Sequence, residues 1–134
     1  MELLKYTEIL QQNKLLKGTI DTKPYNIGIL SNVTVNAFKD ILEYNCRIHQ
    51  IEPDIFIGNF DNIVQDSASS SGKDMVIIFY DLMSVIYNLC IYFESISEEA
   101  FQSLLQKLKS EIDLISHNLK NMRKASWLAP RLRN

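Results

Sequence analysis

Residues 27 to 38 read IGILSNVTVNAF, an apolar run that ends in Ser31 and Asn32, passes Thr34 and Asn36, and resumes at helical spacing. A second apolar run, Asp54-Ile-Phe-Ile, ends in Gly58 and Asn59 with Asp61 just beyond, and a third, Met75 to Tyr80, ends in Asp81. Small hydroxyl, amide and carboxylate groups at three strand ends can hydrogen-bond a polar ligand, provided the fold brings those ends to one rim. The same residue types also cap helices and turn corners in any protein, so the rim reading depends on the elements around it.

Other chemistries lack their residues. Four glycines in all, none arranged as GxGxxG or GxxxxGK[ST], exclude the phosphate-loop and dinucleotide signatures. The first strand ends in Ser31-Asn32, without the acidic pair that would hold magnesium in a receiver domain. No cluster of His, Cys and carboxylates has metal-ligand spacing, and no cofactor is expected in this chain. Asp113 and His117 stand four apart on one helical face, the spacing of a solvated surface pair rather than a catalytic dyad.

The elements that must position the three strand ends alternate helix and strand. Residues 2 to 16 carry an amphipathic helix closed by Gly18, Pro24 sits in a polar connector, and Tyr25 to Leu30 is the first strand. From Val35 on, Phe38, Ile41, Leu42 and Cys46 keep helical spacing, with Thr34 placed to cap the start. Asp54 to Ile57 is a second strand, residues 60 to 68 hold a turn or two of helix, and the SASSSG stretch reads as a loop or spacer too small to pack a core. Met75 to Tyr80 is nearly continuous in apolar residues, as for a strand covered on both faces, and an apolar helix is expected over 83 to 93. Ser95 and Glu98 form a capping box ahead of Phe101, Leu104, Leu105, Leu108, Ile112, Ile115 and Leu119, one stripe over five turns. Strands separated by helices imply a parallel sheet with right-handed crossovers, whose ligands gather beyond the carboxyl ends of the strands. The expected rim is therefore Ser31, Asn32, Thr34, Asn36, Gly58, Asn59, Asp61 and Asp81, with Tyr80 beside it.

With 134 residues, one domain is expected, and 46% apolar with 22% charged residues is ordinary for a soluble globular protein. A formal charge of −2 gives no reason to expect a nucleic-acid or membrane partner, and no apolar stretch is long enough to span a bilayer. The opening Met-Glu-Leu-Leu-Lys lacks signal-peptide character, so a cytoplasmic location is expected. Cys46 and Cys90 fall in apolar-periodic segments and read as buried thiols.

The runs ILSNVTVNAFKDILEY, IEPDIFIGNFDNIVQDS and KDMVIIFYDLMSVI resemble the amino-terminal region of FkbH-like proteins, over about residues 2 to 120. The resemblance implies an SGNH-like, flavodoxin-like three-layer α/β sandwich that precedes a phosphatase-like HAD-superfamily domain. It also implies a role in loading glyceryl or acyl units onto an acyl carrier protein, in polyketide or surface-glycan biosynthesis. The Asp-rich HAD motifs are not present in this sequence. Laid over the SGNH pattern, Asn32 takes the nucleophile position with Ser31 one place early, Gly58 matches the second block, Asp81 matches the third, and the Asp-x-x-His block has no counterpart. Neither His49 nor His117 replaces that base. Two readings follow from the resemblance: a domain without catalysis of its own that binds or positions an acyl carrier protein or an HAD-type domain, or an atypical esterase or acyltransferase using Ser31 with Gly58 and Asn59 as oxyanion donors.

All sixteen acidic residues lie at or before Asp113, whereas Lys120, Arg123, Lys124, Arg131 and Arg133 crowd the last fifteen positions. Residues 2 to 119 are read as the domain and 120 to 134 as a basic tail, which could dock on an acidic partner or mark a truncated frame. A fourth strand is expected where the tail begins, so the sandwich is expected to be incomplete. Its exposed sheet edge could pair in a homodimer.

Overall fold

The computed structural model describes residues 4 to 85 and 93 to 128. Helix α1 spans Tyr6–Leu16, strand β1 Tyr25–Ser31, helix α2 Asn36–Ile48, strand β2 Pro53–Ile57, helix α3 Ile63–Ala68, strand β3 Met75–Phe79, helix α4 Leu82–Val85 and helix α5 Glu98–Leu128. A 3₁₀ turn at Phe93–Ser95 precedes α5. The helix expected over 83 to 93 otherwise lies outside the described residues.

The strands are parallel in the order β2-β1-β3, with Ile27 level with both Ile55 and Met75. Alternation along the strands divides the core in two. Ile27 and Ile29 face α2, packing with Val35, Phe38, Leu42, Cys46, Ile55, Ile57, Ile77 and Phe79. Leu30 faces the other way, toward Ile63 of α3 and Ile115 of α5, joined by Val76, Ile78, Tyr80 and Leu119. The result is a three-layer α/β sandwich on a short parallel sheet. Phe38 and Phe79 meet edge to face with centroids 4.8 Å apart, which ties the start of α2 to the end of β3.

Helix α1 forms an outer layer on α2 rather than on the sheet. Tyr6 donates to Asp40 at 2.6 Å and Tyr44 to Gln12 at 2.8 Å, while buried Arg47 donates to Asn13 Oδ1 at 2.5 Å and to Glu52 Oε1 at 3.0 Å. Glu43 completes the network, accepting from Asn13 at 3.1 Å and lying 3.5 Å from Arg47. Arg47 thus joins α1, α2 and the start of β2, with its charge balanced by two carboxylates.

Local expectations shift at several points. Helix α1 starts later than residue 2, at an N-cap where Lys5 donates its N–H to Glu8 at 2.8 Å. Gly18 ends its C-terminal turn at φ 79, a backbone that favours glycine. Thr34 does not cap α2, because Val35 takes the N-cap position and its carbonyl already accepts from Lys39. At α5 the cap is Ser97, whose hydroxyl accepts the Ala100 N–H at 3.2 Å, two residues beyond the expected Ser95. The SASSSG stretch is no spacer, since Ser67 and Ser70 are buried and Asn118 of α5 donates to Ser67 at 2.9 Å. Small side chains there let α3 and α5 approach closely. Helix α5 continues to Leu128, through the first part of the basic segment.

Candidate functional site

The three strand ends do meet at one rim. Past Ser31, the Asn32 N–H donates to the Phe79 carbonyl at 3.2 Å; on the other side Gly58 donates to Ile29 at 2.8 Å and Asp61 to Ser31 at 3.1 Å. Pairing therefore extends beyond the strands proper and carries all three connections to the carboxyl end of the sheet.

At that rim most of the expected groups are already committed to the protein itself. Ser31 is 4% exposed; its hydroxyl donates to the Val33 carbonyl at 2.6 Å and accepts the Val33 N–H at 2.9 Å, closing a local turn. Asn32 is 2% exposed, and its amide donates to the Asp81 carbonyl at 2.9 Å and accepts the Asp81 N–H at 2.7 Å. This side chain stands in for a rung of backbone ladder between the ends of β1 and β3. Strand order reverses at that place, which in open α/β sheets is the usual ligand crevice, and here Asn32 bridges it.

The oxyanion donors are spent as well. Gly58 gives its N–H to Ile29, and Asn59 gives its N–H to Asp66 Oδ2 at 2.8 Å. Asp66 also accepts from Asn62 at 3.0 Å, so one carboxylate knots the β2–α3 connection. Glycine is required at 58 because a Cβ there would lie 2.6 Å from Asp66 Oδ2 and 2.8 Å from Leu30 Cδ2. Asp81 Oδ1 accepts from Met83 at 3.1 Å and so caps the short α4. Thr34 and Asn36 are exposed at the turn into α2.

No imidazole approaches Ser31. His49 follows the last turn of α2, next to the start of β2 and thus at the opposite end of the sheet. Glu111 of α5 is level with Tyr80, so His117, six residues further along, lies about 9 Å farther from the rim along the helix axis. Among the described residues no group of three His, Cys, Asp or Glu could hold a metal ion.

What the rim does offer is an open cleft of about 490 Å³ between the start of α3 and the middle of α5. Asp61, Ile63, Val64 and Gln65 line one side, Lys107 and Glu111 the other, and Tyr80 lies between them. Asp61 adopts φ 54, a left-handed backbone that aspartate tolerates better than most residues. Tyr80 donates to Glu111 at 2.8 Å, and burial, that hydrogen bond and the nearby Glu111 and Asp61 charges push its phenol up to about 12. The phenol stays protonated and acts as a donor throughout the physiological range. Sequence reasoning placed Asp61 at the rim but missed Lys107 and Glu111, which the helical stripe of α5 hid on its polar side.

No family model matches this chain, and no curated protein does. Among solved structures it is similar to the N-terminal part of the protein BF1531 from Bacteroides fragilis, which contains a phosphatase domain complexed with Mg. That likeness has a TM-score of 0.61 at 10% identity, covering 84% of this chain and 30% of that one. It is a likeness of fold: a three-layer α/β domain on a short parallel sheet, found there in the N-terminal part of a protein that contains a phosphatase domain. No helix among the described residues is long and apolar enough to cross a membrane.

Proposed function

We propose that this chain is a binding and positioning domain without catalysis of its own, comparable to the front domain of FkbH-like biosynthetic proteins. The observation that carries this reading is the internal commitment of the rim: the Ser31 hydroxyl is tied to Val33, the Gly58 N–H to Ile29, and the Asn59 N–H to Asp66. A hydrolase needs an activated nucleophile and free donors waiting for an oxyanion. Here a nucleophile would have to break its own turn before attacking, and no base stands by to take its proton.

The partner in this reading is an HAD-type domain or an acyl carrier protein, with glyceryl or acyl transfer housed in the partner. Support comes from the fold likeness to the N-terminal part of a phosphatase-domain protein and from the sequence resemblance. The contacting surface is the open cleft beside the rim, lined by Asp61, Gln65, Lys107 and Glu111.

The test is calorimetric titration of the chain with an acyl carrier protein and with an isolated HAD-type domain. Saturable binding to either that weakens in Asp61→Asn or Lys107→Glu is the expected result. No heat with both partners contradicts the proposal. Ester hydrolysis above background that disappears in Ser31→Ala favours the esterase instead.

A further inference from the structure

The groups of the rim proper are spent on the protein, but those of the cleft between α3 and α5 are not. Tyr80 donates to one oxygen of Glu111 at 2.8 Å, which leaves the second Glu111 oxygen without a hydrogen bond among the described residues. The Asp61 and Lys107 side chains enter no hydrogen bond or ion pair there either, although Lys107 and Glu111 stand four apart on α5, the spacing at which such pairs form. Burial, then the hydrogen bond and charge of Glu111, then the charge of Asp61 raise the Tyr80 phenol, so both carboxylates bear on that one oxygen.

Two carboxylates about a phenol make a place of negative potential that Lys107 does not neutralise, and a cation seated there is stabilised by both. Its acceptors number three: Asp61, the second Glu111 oxygen, and the Tyr80 oxygen, which keeps its lone pairs while its proton goes to Glu111. An alkylammonium carries three donors on one nitrogen and matches that set. A divalent metal ion asks for more oxygens, and no third carboxylate, imidazole or thiol joins these two among the described residues. A guanidinium is a flat fork suited to the edge of one carboxylate rather than to acceptors from two walls. Ile63 and Val64 supply apolar surface along which an alkyl stem can lie while its charged end stays with the carboxylates.

We infer that this cleft receives the ammonium of a lysine side chain carried by the partner, held by Asp61 and Glu111 beside Tyr80 with its stem along Ile63 and Val64. Charge complementarity selects the occupant, and the cleft volume of about 490 Å³ leaves room for the stem and the backbone that bears it. Lys107 lies one turn back along α5, about 6 Å from Glu111, and is left for a carbonyl or carboxylate next to that lysine. The inference rests on the reading of this cleft as the contacting surface and names the feature a partner presents to it.

The experiment is an amide NMR titration of the full chain with N-acetyl-lysine methylamide into the tens of millimolar, beside the norleucine and arginine analogues. The lysine probe gives saturable shifts at residues 61–65 and 107–111, the arginine probe binds more weakly, and the norleucine probe, which lacks the charge, gives none. Asp61→Asn, whose side chain also tolerates the left-handed backbone there, and Glu111→Gln, which keeps an acceptor for Tyr80, each weaken lysine binding by about fivefold or more. Asp54→Asn, at the opposite end of the sheet, leaves it unchanged. Absence of shifts, equal shifts from norleucine, tighter binding of arginine, or unchanged affinity in both cleft variants overturns the inference, even if a carrier protein or an HAD-type domain binds by calorimetry. Specific lysine binding upholds it, even if neither of those proteins binds and the choice of partner fails.

Discussion

The Asn32 side-chain amide and the Asp81 backbone exchange two hydrogen bonds, of 2.9 Å and 2.7 Å, across the place where strand order reverses. Sequence position alone set Asn32 where an SGNH enzyme keeps its nucleophile. Geometry gives it a structural task instead, holding the end of β3 to β1. Asn32→Asp keeps one acceptor but points a carboxylate oxygen at the Asp81 carbonyl in a buried site. It is expected to cost about 2–3 kcal/mol in urea unfolding, more than a surface substitution would.

The Gly58 and Asp66 pair predicts a coupled effect. Gly58→Ala drives a Cβ to 2.6 Å from Asp66 Oδ2, for an expected loss of about 1–3 kcal/mol. Asp66→Ala also destabilises, because the Asn59 N–H and Asn62 amide lose their acceptor. In the double variant the clash with Asp66 is gone and only that with Leu30 Cδ2 at 2.8 Å remains, so the double variant loses less than the sum of the two single losses in a double-mutant cycle.

Arg47 predicts how α1 is held. Arg47→Ala takes the cation from Glu52, leaves Glu43 only Lys39 at 3.6 Å, and opens a gap beside Asn13, an expected cost of about 3–5 kcal/mol by denaturant unfolding. Exchange protection over residues 6 to 16 should fall before that of β1. Burial, the largest influence, raises the thiol pKa of neighbouring Cys46, with Glu43 adding to it and Arg47 opposing it. In the wild-type fold this thiol should react slowly with a disulfide reagent.

Tyr80 predicts a dependence on alkaline pH. Its folded pKa of about 12 lies above the ordinary value of 10.0, so the folded state keeps a proton that the unfolded state has lost. The stability it contributes is complete below pH 10, declines as pH rises from there toward 12, and is absent above. Ultraviolet titration should show one phenol ionising late, a component missing in Tyr80→Phe and shifted downward in Glu111→Gln.

Much of the fold was legible because its signals are local. The run Tyr25 to Leu30 ends one residue short of β1, and the Met75 to Tyr80 run ends one residue beyond β3, since apolar runs bounded by turn residues mark buried strands well. The strand-end groups were legible as positions but not as partners. Whether Asn32 meets a ligand or the Asp81 backbone depends on residues 49 apart in sequence. Lys107 and Glu111 escaped for a related reason, because a helical stripe reveals the buried side and leaves the polar side undifferentiated. Leu105 and Ile112 belong to the same stripe as Leu108 and Ile115 but are 43% and 47% exposed, because periodicity marks the apolar side of a helix without showing how deeply each position is covered. The serines of SASSSG were misjudged by composition, since a small side chain suits a tight helix contact as well as a loop.

Labelling with a fluorophosphonate probe, followed by mass spectrometry of the intact chain and its peptides, tests the non-catalytic reading most directly. A hydroxyl locked to Val33 with no base beside it should remain unmodified at Ser31 under conditions that fully label a serine hydrolase. Stoichiometric modification at Ser31 would contradict the account and make the chain an enzyme in its own right.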